Sequence, residues 1–157
     1  MSTYLDTNVF YNAYCPVENN ELADWVLNQL KPDLQGITSE WTLIEMFRAL
    51  KKQVNLGNIE ESIAKTVIDF FLSEIGEMVK NEVLKVIPVK SITIMQSRKQ
   101  VFENNLYAAD ALHASTAIST KVRSFITFDK DFKGNLETIH ILNPMESNFK
   151  NNFKTYL

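Results

Sequence analysis

Residues 1–14 read MSTYLDTNVFYNAY, and residues 124–132 read SFITFDKDF. In each stretch a short run of apolar and β-favouring residues ends on an aspartate with a threonine close by: Asp6 in the first, Asp129 in the second. Strands disfavour aspartate, so the ending needs a reason. An aspartate can cap a turn or a helix, or it can stand at the mouth of a site. Either stretch alone reads as a cap. Two strands with the same ending make coincidence a poorer account.

The residues between these stretches predict the architecture. STYLD is a strand, and NNELADWVLNQL then places Leu22, Val26 and Leu30 at helical spacing from a start near Asn20. LQGITS reads as a second strand, and Thr38 or Ser39 can cap the helix EWTLIEMFRALKKQ. Beyond Gly57, a long helix over about 59–80 repeats Ile63, Val67, Phe71 and Ile75 at every fourth position. LKVIPV is a third strand, SITIMQSRKQVFEN and AADALHASTAISTK are helices, SFITFD is a fourth strand, and TIHIL is a short fifth at an edge. Residues 1–145 make one domain, followed by a polar tail over 146–157. Strands that alternate with helices predict a three-layer α/β sandwich with a mostly parallel central sheet of four to five strands. Such sheets bind ligands at the carboxyl ends of their strands, near the point where the strand order reverses. A parallel sheet puts Asp6 and Asp129 on that one edge.

A chain of 157 residues can bury one real core. Apolar content of 45% beside 22% charged residues excludes a disordered chain, and only four glycines and four prolines argue against a turn-rich all-β fold. A single cysteine, Cys15, excludes an internal disulfide framework and a cysteine-rich zinc site. It fits a reducing, cytoplasmic setting. No charged and then apolar leader opens the chain, and no apolar run reaches the length of a membrane span. The net charge of −3 is not that of a protein holding nucleic acid by charge alone.

Where the acids sit matters more than their total. Asp110 shares a helical stripe with Ala114, Ala117 and Lys121, and Ala111 and Ile118 lie alongside. Small residues suit close packing on a sheet, so this aspartate points inward; its plainer role is a negative charge in the first helical turn. Glu45 lies roughly opposite a stripe of Leu43, Phe47 and Leu50, which makes a solvated face its default. His113 follows Asp110 by three residues and reads first as a structural histidine, with orientation of a carboxylate as its other use. Carboxylates that converge must be relieved of repulsion, about 4 kcal/mol per pair at 4 Å and an effective dielectric near 20. Raised pKa values or a bound cation provide that relief, and all-oxygen ligands favour Mg2+ or Mn2+. Taking Asp6, Glu45, Asp110, Asp129 and Asp131 out of the tally turns −3 into +2, so the rest of the chain is mildly basic.

YLDTNVF, TSEWTLIEMFRAL, NNLYAADALHASTAI and FITFDKDF, in that order, resemble the PIN-domain family, which includes the VapC-type ribonuclease toxins of toxin–antitoxin pairs. The resemblance covers nearly the whole chain. It implies an α/β/α sandwich and a quartet of acids, Asp6, Glu45, Asp110 and Asp129, that binds one or two Mg2+ or Mn2+ ions and cuts single-stranded RNA. It also brings Glu45 into the site, against the default reading of its helix. Asp131 is a further metal candidate, and Thr7, Asn8 and Thr127 are supporting polar residues. Arg48, Lys121 and Lys130 are candidate RNA contacts. The long helix near 59–80 lies where toxins of this kind clip an antitoxin or a second copy, so a protein antitoxin and a homodimer are the expected partners. Two other readings stay open: a non-catalytic RNA- or protein-binding module, and another α/β aspartate phosphohydrolase. A dehalogenase-like phosphatase needs a second acid at position 8, where this chain has Asn8.

Overall fold

The computed structural model describes residues 1–132 and 135–156. Six strands form one sheet: β1 (Ser2–Leu5), β2 (Gln35–Ser39), β3 (Leu84–Ile87), β4 (Ser124–Ile126), β5 (Asn135–Leu136) and β6 (Ile139–Leu142), in the order β3-β2-β1-β4-β6-β5. Five run parallel, with Leu5 opposite Ile126 and Tyr4 opposite Ile37; β5 alone is antiparallel, against β6. The chain steps from β1 to β2 and β3 on one side and later to β4 and β6 on the other. The strand order therefore reverses at the boundary between β1 and β4. The sequence predicts the five parallel strands, but TIHIL, expected at an edge, lies between β4 and β5. The sequence does not predict β5, whose two residues are too few to carry an alternating pattern.

Among the described residues seven helices cover the sheet: α1 (Thr7–Tyr14), α2 (Glu21–Asn28), α3 (Glu40–Asn55), α4 (Glu61–Lys80), α5 (Ser91–Asn104), α6 (Ala108–Thr120) and α7 (Phe149–Tyr156). Alternation along β1 sorts them into layers. Leu5 faces Val9 and Phe10 of α1, Val26 of α2, Met46 and Leu50 of α3, Phe71 and Ile75 of α4, and Phe149 and Phe153 of α7. Tyr4 faces the other way, onto Ala111, Ala114 and Ala117 of α6 together with Phe125 and Phe132. Three fully buried alanines let α6 lie close to the sheet, as their stripe predicts, and α5 packs against α6. Among the described residues no helix is long and apolar enough to cross a membrane.

The structure departs from the sequence reading at two elements, α1 and α3. The sequence reading does not include the helix α1, which is only eight residues long and starts directly after Asp6, the residue that ends the strand. The polar segment after Glu146, which the sequence leaves free to dock or to fray, docks over its described length: Phe149 and Phe153 pack edge-on against Trp25. On α3 the buried row is Thr42, Met46, Leu50 and Gln53, while Phe47 is 37% exposed. Thr42 and Gln53 are buried because their polar atoms are paired, with Thr38 Oγ1 at 2.8 Å and the Tyr11 hydroxyl at 2.5 Å. A hydrophobicity wheel cannot register that. With the row shifted, Glu45 sits on the flank of the buried face rather than opposite it.

Candidate active site

Asp6 is both cap and site. It has extended backbone angles as the N-cap of α1, and its Oδ1 accepts from the Thr7 amide at 2.7 Å. Its Oδ2 accepts from Asn8 Nδ2 at 2.7 Å and from the Thr127 hydroxyl at 2.6 Å. The Asp6 amide donates to the Ile126 carbonyl at 3.1 Å, extending the β1–β4 ladder by one bond. The carboxylate is therefore fixed by three donors at the strand-order reversal, with only 4% of the residue exposed. Burial pushes its pKa above the ordinary aspartate value, and His113, Thr127 and the Thr7 amide offset only part of that push.

Asn8 and Thr127 also shape the chain that carries Asp129. Asn8 Nδ2 donates to Thr127 Oγ1 at 2.9 Å, and Asn8 Oδ1 accepts from the Phe128 amide at 2.9 Å. The Asp129 amide donates to Thr127 Oγ1 at 2.9 Å. The Asp131 amide then donates to Asp129 Oδ1 at 2.8 Å. Asp129 thus stands three residues beyond the last residue of β4, in a turn built on side-chain bonds.

The helix α6 leads into β4 and runs back against it, so its first turn lies at the same sheet edge as Asp6. Asp110 is in that turn. It is partly buried, and none of the described groups donates a hydrogen bond to it. Burial, and then the charges of Asp6 and Asp129, push its pKa up to about 6. Lys121 closes the other end of α6, just before β4 begins. It lies at the opposite sheet edge from the acids, so its shared stripe with Asp110 does not bring it to the site. The stripe runs along the helix axis, and the helix spans the sheet.

Glu45 and His113 meet across the top of β1. His113 is fully buried, and its Nε2 lies 2.7 Å from Glu45 Oε2. A carboxylate only accepts, so Nε2 carries a proton toward Glu45, while Nδ1 pairs with the Tyr4 hydroxyl 2.8 Å away. The Thr7 hydroxyl donates to the same Glu45 oxygen. Burial alone would raise the pKa of Glu45, but the His113 contact and the Thr7 bond bring it below the ordinary value. Burial would lower His113, yet Glu45 and Asp6 hold it above the usual histidine range. The structural reading of His113 is thus incomplete: it also fixes an acid of the site.

An open cleft of about 430 Å³ is lined by Asp6, Asn8, Glu45, Asp110 and Asp129 together with Arg48 and Lys52. Lys52 was not singled out in the sequence, although it lies one helical turn after Arg48. Lys130 is exposed beside Asp129, and Asp131 lines a neighbouring cavity with Asp110 instead of this cleft. Among the described residues no trio of His, Cys, Asp or Glu is disposed to hold a metal ion as it stands. The quartet of acids and the further candidate Asp131 stand in different surroundings. Glu45 is bound to His113 and Thr7, and Asp131 points to the adjoining cavity. The donor set itself fits a hard cation. Its ligands are all oxygen, Asp110 has no described donor, and Asp6 and Asp129 repel it. Mg2+ usually keeps several waters and takes only one or two carboxylates, so a closed cage is not required.

The family model for the PIN domain matches residues 3–135. Among solved structures, VapBC2 from Rickettsia felis, bound to a DNA fragment from its promoter, is similar at a TM-score of 0.64 and 20% identity, over 91% of this chain and 98% of that one. A toxin–antitoxin complex from Klebsiella pneumoniae gives 0.60 and 20%, over 92% and 98%. VapBC-1 from nontypeable Haemophilus influenzae gives 0.55 and 15%, over 93% and 100%. No curated protein matches the sequence.

Proposed function

This chain belongs to the PIN-domain family, and from that premise we propose that it is a metal-dependent endoribonuclease that cuts single-stranded RNA as the toxin of a toxin–antitoxin pair. The observation that carries the reading is the meeting of Asp6, Asp110 and Asp129 on one cleft at the strand-order reversal, with Asp110 driven up to about 6 by burial and then by the two neighbouring carboxylates. Asp6, Asp110 and Asp129 would hold Mg2+ or Mn2+. A bound cation would supply a water of lowered pKa and positive charge beside the scissile phosphate.

The chain's own groups divide the remaining work. Three donors fix the Asp6 carboxylate, so it needs no reorganisation on binding. Positive charge beside Asp110 favours its ionised form against the burial and the carboxylate repulsion that raise its pKa. His113 and Thr7 keep Glu45 ionised beside the cleft. Arg48 and Lys52 on the cleft wall suit the phosphodiester backbone. The expected products carry a 5′-phosphate and a 3′-hydroxyl.

The test is cleavage of a single-stranded RNA oligonucleotide with Mn2+ or Mg2+ and with EDTA, the product ends being identified by mass. EDTA should abolish cutting. Cutting that persists in EDTA, or 2′,3′-cyclic phosphate ends, would reject the proposal. An antitoxin partner is supported by the assemblies seen in the similar structures and by exposed apolar side chains, Ile44 and Phe47 on α3 and Ile63 and Phe70 on α4. A homodimer could use the same kind of surface. Replacing Ile44 and Phe70 with aspartate should leave RNA cutting intact and abolish inhibition by a small protein encoded beside the gene.

A further inference from the structure

A second cavity, of about 500 Å³, opens beside the acid cleft, and Asp110 belongs to the walls of both. It lies between the end of α5, the first turn of α6 and the chain beyond β4. Its lining combines the rings of Tyr107 and Phe132, the side-chain amides of Asn104 and Asn105, and the carboxylates of Asp110 and Asp131. Phe132 is a fixed surface: it is 6% exposed and its ring lies 4.7 Å from that of Phe125. Tyr107 is the opposite case. It is 77% exposed, three residues before Asp110, and no core packing accounts for a large aromatic ring there. Asn105 ends α5 in the left-handed region at φ 53°, with its amide bonded to the Gln100 carbonyl, which fixes where its side chain begins.

The charges of the two cavities differ. Arg48 and Lys52 line the acid cleft, whereas among the described residues no lysine or arginine lines the second cavity. The two carboxylates disfavour a phosphate there. A flat, uncharged group with N–H donors suits the space, because the aromatic ring offers a face and the amides and carboxylates offer acceptors. We propose that this cavity is a subsite for one nucleobase of single-stranded RNA, stacked on Tyr107 next to the scissile phosphate, while the backbone lies toward Arg48 and Lys52. The subsite rests on the nuclease reading above and adds to it where an unstacked base goes.

The experiment is steady-state cleavage in Mn2+ of a short single-stranded RNA with one cut site, and of a series in which each nucleotide around that site is made abasic in turn. Loss of one base stack corresponds to about 5- to 150-fold in apparent affinity. Tyr107→Ala should raise KM within that range and leave kcat within about twofold, and Tyr107→Phe should restore the native KM. At one position the abasic substitution should cost the native chain as much, and cost Tyr107→Ala nothing more. A native KM for Tyr107→Ala, or losses that add at every position, would overturn the subsite and leave the nuclease reading standing. A native chain that cuts none of these RNAs would remove both.

Discussion

Asp110 is a carboxyl that the fold holds partly protonated. Its pKa in the folded chain, about 6, is above its ordinary value. Its contribution to stability is therefore complete at acid pH and is lost as pH rises through 6. Without metal, the thermal midpoint should climb as pH is lowered from 7.5 to 5.5. His113, also raised, adds to the same slope. Asp110→Asn should raise the midpoint at pH 7.5 and flatten part of the slope; an unchanged slope in differential scanning fluorimetry would show that Asp110 is not crowded. His113→Ala removes the partner of Glu45 and of the buried Tyr4 hydroxyl together. A loss of about 2–4 kcal/mol is expected in urea melts, and Glu45 should titrate closer to its ordinary value when followed by NMR.

The helices α3 and α7 show what an element contributes beyond its length. Ser39 Oγ accepts from the Trp41 amide at 3.0 Å and starts the helix that carries Glu45, Arg48 and Lys52. Ser39→Ala should cost about 1 kcal/mol by loss of the cap. A larger cost would mean that the buried hydroxyl does more than cap. Phe153 of α7 is 3% exposed and packs on Trp25 and Phe149. Phe153→Ala should cost about 3–5 kcal/mol in chemical denaturation, whereas a frayed terminus would cost nothing. The strands and long helices were legible because their apolar residues repeat with period. The short helix α1 was not, because it begins directly on the strand's last residues and its cap, Asp6, is also the strand's ending. The tail's docking was hidden for a related reason: two aromatics four apart in a polar segment do not announce a helix until Trp25 is there to receive them.

At the scale of the whole molecule, the parallel sheet turns distant residues into neighbours. Asp6 and Asp129 were readable as one edge because both runs end alike and the strands run the same way. Asp110 was readable from the alanines around it. Glu45 was not readable from its own helix, because polar Thr42 and Gln53 occupy the buried row in place of the apolar residues that a wheel expects. The role of His113 depends on β1, α3 and α6 meeting at one point, which no local pattern encodes. The acid total also misleads: a net −3 conceals a mildly basic remainder once five of the acids near the site are set aside. The most direct measurement is Mn2+ binding to the native chain, to Asp6→Asn and to Asp110→Asn, followed by electron paramagnetic resonance at neutral pH. The native chain should bind Mn2+ saturably, and each variant should bind it at least about tenfold more weakly. Equal binding by all three, or none by the native chain, would contradict a cation site at this sheet edge.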